Sequence, residues 1–240
     1  MTNATPYRRV LVKLSGEALM GGRGYGLDPL FLARVAGELA GVNRLGIELA
    51  LVVGGGNIFR GMSESARDME RSRADQMGML ATVINALALQ SALEAAGVPA
   101  VVQSALAMPQ VAETFQQQQA VRHLQEGRVV IFAAGTGNPY FTTDTAASLR
   151  AIEIHASVLI KATKVSGVYS ADPAKDPQAE FLPYLTYREV LQRDLRVMDL
   201  TAITLCRENR LPILVCSMTE PGSLGRVLQG ERLGTLIEEA

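Results

Sequence analysis

Short apolar runs rich in β-branched residues alternate along this chain with longer segments that carry a helical pattern. The helical segments, of which residues 30–44 and 71–96 are the clearest, indicate βαβ units and therefore parallel strands. Because the runs are apolar throughout, we expect them to be buried on both faces. The predicted fold class is α/β, a three-layer α/β/α sandwich with a mainly parallel central sheet. Its predicted strands are residues 10–14, 48–53, 100–104, 128–134, 157–162, 212–217 and 234–238.

Two further segments have a recognisable pattern. The segment 71–96 is expected to end at Gly97-Val98-Pro99. The segment 170–183 contains three prolines and several charges, which predicts an exposed loop. The helical assignment of 71–96 depends on apolar residues close to a 3.6-residue period, namely Met77, Leu80, Ile84, Leu87 and Leu93.

Composition limits the kinds of partner. A net charge of −1 gives no general attraction to nucleic acid or to an anionic membrane. Cys206 and Cys216 have no C-x-x-C spacing, which is typical of reduced thiols in a cytosolic protein. The first residues lack the apolar region of a signal peptide, and the apolar runs are too short to span a bilayer. We expect a cytoplasmic protein that needs neither DNA, RNA nor a membrane.

Three of the predicted strands run directly into glycine turns. The turns follow the first, second and fourth strands, at residues 15–16, 54–57 and 135–139. In a parallel sheet all three lie at the carboxyl ends of strands, which is the edge where open α/β sheets bind ligands. Glycine lets a backbone approach a ligand closely, and backbone N–H groups can cradle phosphate oxygens. The sequence therefore predicts a phosphate-binding edge.

Three cationic side chains accompany the predicted sheet edge. Lys13 and Lys161 are near the ends of their strands, and Arg60 follows the second turn by a few residues. Phosphoryl transfer needs positive groups next to the charge that develops on the transferred group. Lys13, Arg60 and Lys161 are therefore candidate catalytic residues.

Asp144 allows two compatible interpretations. Thr142, Thr143 or Asp144 is expected to cap the next helix, since such residues are preferred caps. In the second interpretation, which is compatible with the first, the Asp144 carboxylate lies between Lys13 and Lys161, where it orients both lysines or helps to hold Mg²⁺.

Several familiar motifs are missing. No glycine is followed by lysine, which excludes a P-loop kinase, and no G-x-G-x-x-G follows a strand, which argues against a Rossmann dinucleotide enzyme. His123 and His155 lie away from the glycine turns, so we expect no dedicated protein cage for a metal. An acceptor phosphate, with a second pKa of about 6, is already an oxyanion at neutral pH. No general base is then required.

Five segments, in order and with the expected spacing, resemble the bacterial UMP kinase (uridylate kinase) family of the amino-acid kinase superfamily. They are KLSGEAL (13–19), GGGNIFRG (54–61), DQMGMLAT (75–82), GTGNPYFTTD (135–144) and KATKVSGVYSADP (161–173). The last string alone would indicate only the superfamily, whereas GTGNPYFTTD together with DQMGMLAT is much more specific. The resemblance implies one amino-acid kinase domain over residues 1–240, with ATP mainly at residues 160–240. The implied reaction is phosphoryl transfer from ATP to UMP.

Carried over residue by residue, the resemblance implies three groups of site residues. The catalytic group is Lys13, Arg60, Asp144 and Lys161. The ATP-binding group is Lys13, Leu14, Ser15, Gly16, Gly56, Arg60, Thr163, Tyr169 and Asp172. The UMP-binding group is Gly55, Asp75, Thr136, Gly137, Asn138, Pro139, Tyr140, Phe141, Thr142 and Thr143. Mg²⁺ is expected to arrive with ATP.

The resemblance also implies a homohexamer, GTP activation in many members and UTP inhibition. Residues 91–101 lack the charges that some GTP-activated members carry there, so no effector site is assigned. Ser166, Gln76 and Tyr140 depart from the common pattern, and of these Ser166 bears on the ATP pocket.

Two other functions stay open on the sequence. An acetylglutamate, carbamate or aspartate kinase would keep the fold and produce an acyl phosphate, although GTGNPYFTTD suits a nucleotide acceptor better. A pyrimidine-nucleotide sensor would bind without turnover, although the presence of all four catalytic candidates argues against it.

Overall fold

The structure is a computed structural model that describes residues 5–59, 69–218, 220 and 222–239. The strands are β1 (Arg9–Leu14), β2 (Glu48–Val53), β3 (Ala100–Ser104), β4 (Glu113–Thr114), β5 (Val129–Ala133), β6 (Val158–Thr163), β7 (Val168–Tyr169), β8 (Phe181–Leu182), β9 (Tyr184–Thr186), β10 (Ile213–Ser217) and β11 (Thr235–Glu238). The helices are α1 (Gly16–Leu19), α2 (Pro29–Arg44), α3 (Arg71–Ala95), α4 (Gln117–Gln125), α5 (Thr143–Glu153), α6 (Tyr187–Gln192), α7 (Leu200–Glu208) and α8 (Ser223–Leu228).

Within these described ranges, one nine-stranded sheet has the order β4-β3-β5-β2-β1-β6-β10-β11-β9. From β4 to β10 all neighbours are parallel, and every strand predicted from the sequence is present. The final predicted strand, β11, runs antiparallel to β10. An antiparallel strand at the margin of an otherwise parallel sheet is common in α/β proteins. The mainly parallel sheet is therefore confirmed.

The helices cover both faces of the sheet and complete the predicted three-layer sandwich. Along β1, alternate side chains enter opposite layers, because successive residues of a strand point to opposite faces. Val10, Val12 and Leu14 pack with residues of α2, α3 and α8. Leu11 packs with residues of α4, α5, α6 and α7.

Helix α3 confirms the longest predicted helix, and three of the residues that set its period are exposed. Met77, Leu80 and Ile84 are 36%, 50% and 48% exposed. The helix is apolar on two faces, so its period indicates a helix without indicating which face packs. By length and composition α3 could also cross a membrane. Core helices of soluble proteins share these properties, and here α3 contacts β2, β3 and β5. Its buried apolar face includes Met79, Val83, Ala86, Leu89 and Leu93.

The predicted loop at residues 170–183 is largely exposed in the structure. Near its end, β8 pairs antiparallel with β7 and forms a small hairpin outside the main sheet. The Tyr169 and Phe181 rings meet edge to face across this hairpin, with centroids 5.5 Å apart. The loop is thus anchored at both ends beside the carboxyl edge of β6.

Candidate active site

The three predicted glycine turns lie side by side, because they follow the adjacent strands β5, β2 and β1. The first two turns contact each other directly. A Cβ atom on Gly16 would lie 2.7 Å from both the Gly54 carbonyl oxygen and the Gly56 amide nitrogen. A Cβ on Gly55 would lie 2.8 Å from the carbonyl oxygen of Gly78 in α3. At these positions glycine is required by neighbouring protein backbone, a constraint that the sequence did not show.

The structure brings Asp144 between Lys13 and Lys161. Lys13 Nζ is 2.7 Å from Asp144 Oδ1, and Lys161 Nζ is 2.9 Å from Oδ2. The two lysines are register partners on β1 and β6, so their side chains leave the sheet on the same face. All three side chains are mostly buried, with 10%, 14% and 19% exposure for Lys13, Asp144 and Lys161.

Burial and charge oppose each other within this lysine–aspartate–lysine cluster. Burial alone would raise the pKa of Asp144, but the charges and hydrogen bonds of Lys13 and Lys161 outweigh it, and the pKa lies below its ordinary value. Burial lowers the pKa of Lys161, and the nearby charge of Lys13 lowers it further, against the opposing effect of Asp144. Asp144 is therefore ionised at neutral pH and offsets the repulsion between two close ammonium groups.

Thr142 is the residue that caps α5, which resolves the earlier alternatives for capping. Its Oγ1 accepts hydrogen bonds from the backbone N–H of Asp144 and Thr145, at 3.0 and 3.3 Å. Asp144 occupies the first turn just inside the cap. Its carboxylate is consequently directed at the lysines instead of at the backbone of its own helix.

On one side of the cluster lies a cavity between the glycine turns and the start of α3, here called the acceptor cavity. Gly137, Pro139 and Tyr140, which the resemblance assigned to UMP, lie beside this cavity rather than in its lining. Asp75 Oδ2 nevertheless accepts a hydrogen bond from the Tyr140 backbone N–H at 2.7 Å. Among the predicted residues, the lining includes Gly55, Gly56, Asp75, Thr136, Asn138, Phe141, Thr142 and Thr143.

The lining of the acceptor cavity also includes residues that the sequence analysis missed. Gly78, Met79 and Thr82 of α3 face it, and they follow Asp75 at spacings of three, four and seven residues. Such spacings place side chains on one helix face, so the helical period counted from Asp75 could have identified them. Thr82 also ties α3 to the end of β5, because its Oγ1 accepts a hydrogen bond from Ala134 N at 2.8 Å.

On the other side lies a larger cavity of about 650 Å³, here called the donor cavity. Four residues predicted for catalysis or ATP line it, namely Lys161, Thr163, Tyr169 and Asp172. The other described ATP candidates lie outside its lining: residues 13–16 are at the end of β1 and the start of α1, and Gly56 lines the acceptor cavity instead. Arg60 lies outside the described residues. The sequence missed several lining residues, including the cations Lys175, Arg193 and Arg196.

Within the described ranges no group of three or more His, Cys, Asp or Glu side chains could hold a metal ion. The Asp144 carboxylate is already engaged at both oxygens by lysines. These observations fit a metal carried by a polyphosphate, whose own oxygens supply the hard ligands that Mg²⁺ prefers.

Known proteins resemble this chain over almost its full length. Residues 8–217 match the amino acid kinase family. A uridylate kinase of Magnetococcus marinus is 63% identical over 232 residues, covering 97% of this chain and 96% of that protein. The UMP kinase structure from Bacillus anthracis superposes with a TM-score of 0.94 at 38% identity, covering 98% of this chain and 97% of the other. The UMP kinase structure from Ureaplasma parvum gives 0.91 at 34% identity, covering 97% and 99%.

Proposed function

The chain belongs to the amino acid kinase family, and we propose that its lysine–aspartate–lysine cluster transfers a phosphoryl group between nucleotides held in the two flanking cavities. The reaction is transfer of the γ-phosphoryl group of ATP to UMP, giving UDP and ADP in pyrimidine nucleotide biosynthesis. The observation that carries the proposal is the position of Lys13, Asp144 and Lys161 at the carboxyl edge of β1 and β6.

The proposed chemistry depends on charge and position. The acceptor is a phosphate oxyanion, so the protein has no proton to remove before attack. Lys13 and Lys161 neutralise the charge that spreads over the transferred group, and Asp144 keeps both ammonium groups fixed and close. Because the three side chains are largely buried, these interactions act in a medium that screens them less than water does.

The acceptor cavity is the proposed UMP site. Asp75 is assigned to the ribose hydroxyls, since a carboxylate has lone pairs beyond those used by Tyr140 N and Arg71. Gly55 supports the nucleotide through its backbone. Residues 136–143 are assigned to the remainder of UMP, with uracil recognised in part by backbone and threonine groups.

The donor cavity is the proposed ATP site. Thr163, Tyr169 and Asp172 would frame the adenine nucleotide, while the turn of residues 13–16, Gly56 and Arg60 would meet its phosphates. Mg²⁺ would enter on the phosphates of ATP and neutralise part of their charge. The whole chain is proposed to act as one domain, with UMP mainly on its N-terminal part and ATP mainly on residues 160–240.

We further propose a homo-oligomer, with the hexamer as the expected form. The exposed apolar residues Met77, Leu80 and Ile84 on α3 support self-association, since exposed apolar patches commonly mark interfaces. A cytoplasmic location is proposed in keeping with the buried free thiols of Cys206 and Cys216. GTP activation and UTP inhibition are proposed from the family, without an assigned effector site.

An assay of ADP release with Mg-ATP and a panel of acceptors tests the function. The panel comprises UMP, CMP, dUMP, AMP and N-acetylglutamate. We expect a UMP-selective signal. A signal only with the small acid would replace the acceptor and keep the fold. A folded protein that is silent across the panel would favour the pyrimidine-nucleotide sensor instead.

A further inference from the structure

The Asp199 side chain links the N-terminal ends of two helices, α7 and α5, and α5 carries Asp144 in its first turn. Asp199 is the N-cap of α7, where its Oδ1 accepts a hydrogen bond from Ala202 N at 3.0 Å. The same carboxylate also accepts from Thr142 Oγ1 at 2.5 Å and from Thr145 Oγ1 at 2.9 Å. Capping α7 needs only the first of these hydrogen bonds. The other two fix the first turn of α5.

The two threonines held by Asp199 flank Asp144, the acidic member of the lysine–aspartate–lysine cluster. Thr142 lines the acceptor cavity and caps α5. Thr145 is buried within the same turn. Asp144, which pairs with both lysines, lies between these two threonines. A shift of this turn would therefore move one wall of the acceptor cavity and the Asp144 carboxylate together.

The chain that leads into Asp199 belongs to the donor side. Residues 193–197, here called the donor segment, line the donor cavity. The carbonyl oxygen of Val197 in this segment accepts a hydrogen bond from Lys161 Nζ. Only Met198 separates the donor segment from Asp199. One short stretch of chain thus contacts the donor cavity, a catalytic lysine and the acceptor wall.

We propose that Asp199 is a positioning residue that couples occupancy of the donor cavity to the geometry of the acceptor cavity. A nucleotide contacting the donor segment restricts Val197 and Asp199, and Asp199 passes that restriction to Thr142 and Thr145. Binding of one nucleotide then changes the affinity for the other, and linkage requires the effect to be equal in both directions. This inference rests on the proposed donor and acceptor roles of the two cavities.

The hydrogen-bond inventory explains why a carboxylate suits this position. Thr142 Oγ1 accepts two backbone hydrogen bonds, so its own proton must go to an acceptor. Ala202 N and the Thr145 hydroxyl also donate toward residue 199. An asparagine has one acceptor oxygen and would turn its NH₂ group toward at least one of these donors. Asp199→Asn should therefore keep α7 capped, since Asn caps well, while losing part of its hold on α5.

The test measures UMP affinity by calorimetry, with and without a saturating non-hydrolysable ATP analogue and Mg²⁺. For the unmodified protein we expect the analogue to change UMP affinity by at least about fivefold, within the usual range of coupling. This ratio of UMP affinities with and without the analogue is the coupling factor. In Asp199→Asn the coupling factor should fall toward one, and kcat should fall by about tenfold. Asp28→Asn is the matched control, because Asp28 caps α2 and accepts only from that helix among its described contacts. Its coupling factor should equal that of the unmodified protein.

A second pair of variants keeps the test decisive if Asp199→Asn does not fold. Thr145→Val removes the hydroxyl that donates to Asp199 and preserves side-chain volume, whereas Thr145→Ser retains the hydroxyl. We expect reduced coupling in Thr145→Val and near-normal coupling in Thr145→Ser. A coupling factor of one in the unmodified protein would overturn the proposal, as would unchanged coupling in Asp199→Asn or Thr145→Val. Absence of UMP binding or of UDP formation in the unmodified protein would instead reject the proposed function.

Discussion

The acceptor and donor cavities flank the lysine–aspartate–lysine cluster but are built from different kinds of structure. The acceptor cavity is walled by turns that directly follow β2 and β5 and by one face of α3. The donor cavity is walled by residues of β6 and β10, by β7 with its flanking loop, and by residues 193–197, which lie in the connection between α6 and α7. Turns fixed to adjacent parallel strands have little freedom to move, whereas connecting segments at the surface have more.

Because of this difference, we expect substitutions in the two cavities to have different effects. The acceptor side is constrained by close contacts with neighbouring backbone, as at Gly55. In the proposed coupling, occupancy of the donor side reaches the acceptor side through Asp199. The cluster at the boundary should affect turnover, while substitutions within either cavity should affect one nucleotide more than the other.

Asp144→Asn should have the largest effect, because it removes the charge that holds Lys13 and Lys161 together. We expect kcat to fall by about 10³-fold, at the upper end of the usual loss for one preorganised electrostatic group. The measurement is steady-state ADP release at saturating ATP and UMP. Asp176→Asn is the control, because Asp176 lies in the exposed loop and its carboxylate accepts from Gln178 N. A loss of kcat below tenfold for Asp144→Asn would contradict the proposal that the cluster is central to phosphoryl transfer.

Lys13→Ala should reduce turnover while leaving the acceptor cavity intact, since Lys13 does not line that cavity. We expect kcat to fall by about 10²-fold and the UMP dissociation constant to change by less than about threefold, which is under 1 kcal/mol. Calorimetric binding and turnover are compared on the same preparation. Equal losses of binding and turnover would contradict the proposed separation of cluster and cavity.

A pair of glycine substitutions tests the separation of the two cavities. Gly55→Ala adds a Cβ within 2.8 Å of Ala81 Cβ and should raise the KM for UMP by about tenfold. Gly167→Ala adds a Cβ within 2.8 Å of the Phe181 ring and should raise the KM for ATP by a similar factor. Each variant should leave the KM of the other nucleotide within about threefold, a change of less than 1 kcal/mol.

The control for this pair is Gly24→Ala, because a Cβ on Gly24 meets nothing within 4 Å. It should leave both KM values unchanged. If Gly55→Ala and Gly167→Ala each raised both KM values equally, the cavities would not be separable by nucleotide.

Arg196→Ala should have the smallest effect. Arg196 is exposed and lines the donor cavity, where its charge is partly screened by solvent. We expect the KM for ATP to rise by about threefold, with a smaller difference at high salt. Arg188→Ala on the exposed face of α6 is the control and should change neither KM value. A larger rise in the KM for UMP than in the KM for ATP would contradict the assignment of Arg196 to the ATP site.

The sequence was most informative where chemistry lies at strand ends. The proximity of Lys13 and Lys161 was predictable because a parallel sheet places the carboxyl ends of its strands at one edge. The position of Asp144 at a helix start on the same sheet edge was predictable because capping residues follow the glycine turn at residues 135–139. The structure adds the ion-pair geometry and shows that Thr142, not Asp144, is the cap.

Elsewhere the sequence lacked the necessary information. Met77, Leu80 and Ile84 follow a helical period but face outward, because a period does not indicate which apolar face is covered. Arg193, Arg196 and Asp199 lie in or next to a connection whose position depends on the packing of α7 against α5. Such contacts between distant segments leave no local pattern.

The most direct test follows the phosphoryl group itself. The purified protein is incubated with Mg²⁺, UMP and ATP labelled with ³²P in the γ-phosphate, and the products are separated. We expect one labelled UDP for each ADP formed, with the label in the β-phosphate of UDP and a strong loss in Asp144→Asn. Label released as inorganic phosphate, or no labelled UDP from folded protein, would contradict direct transfer between the two cavities.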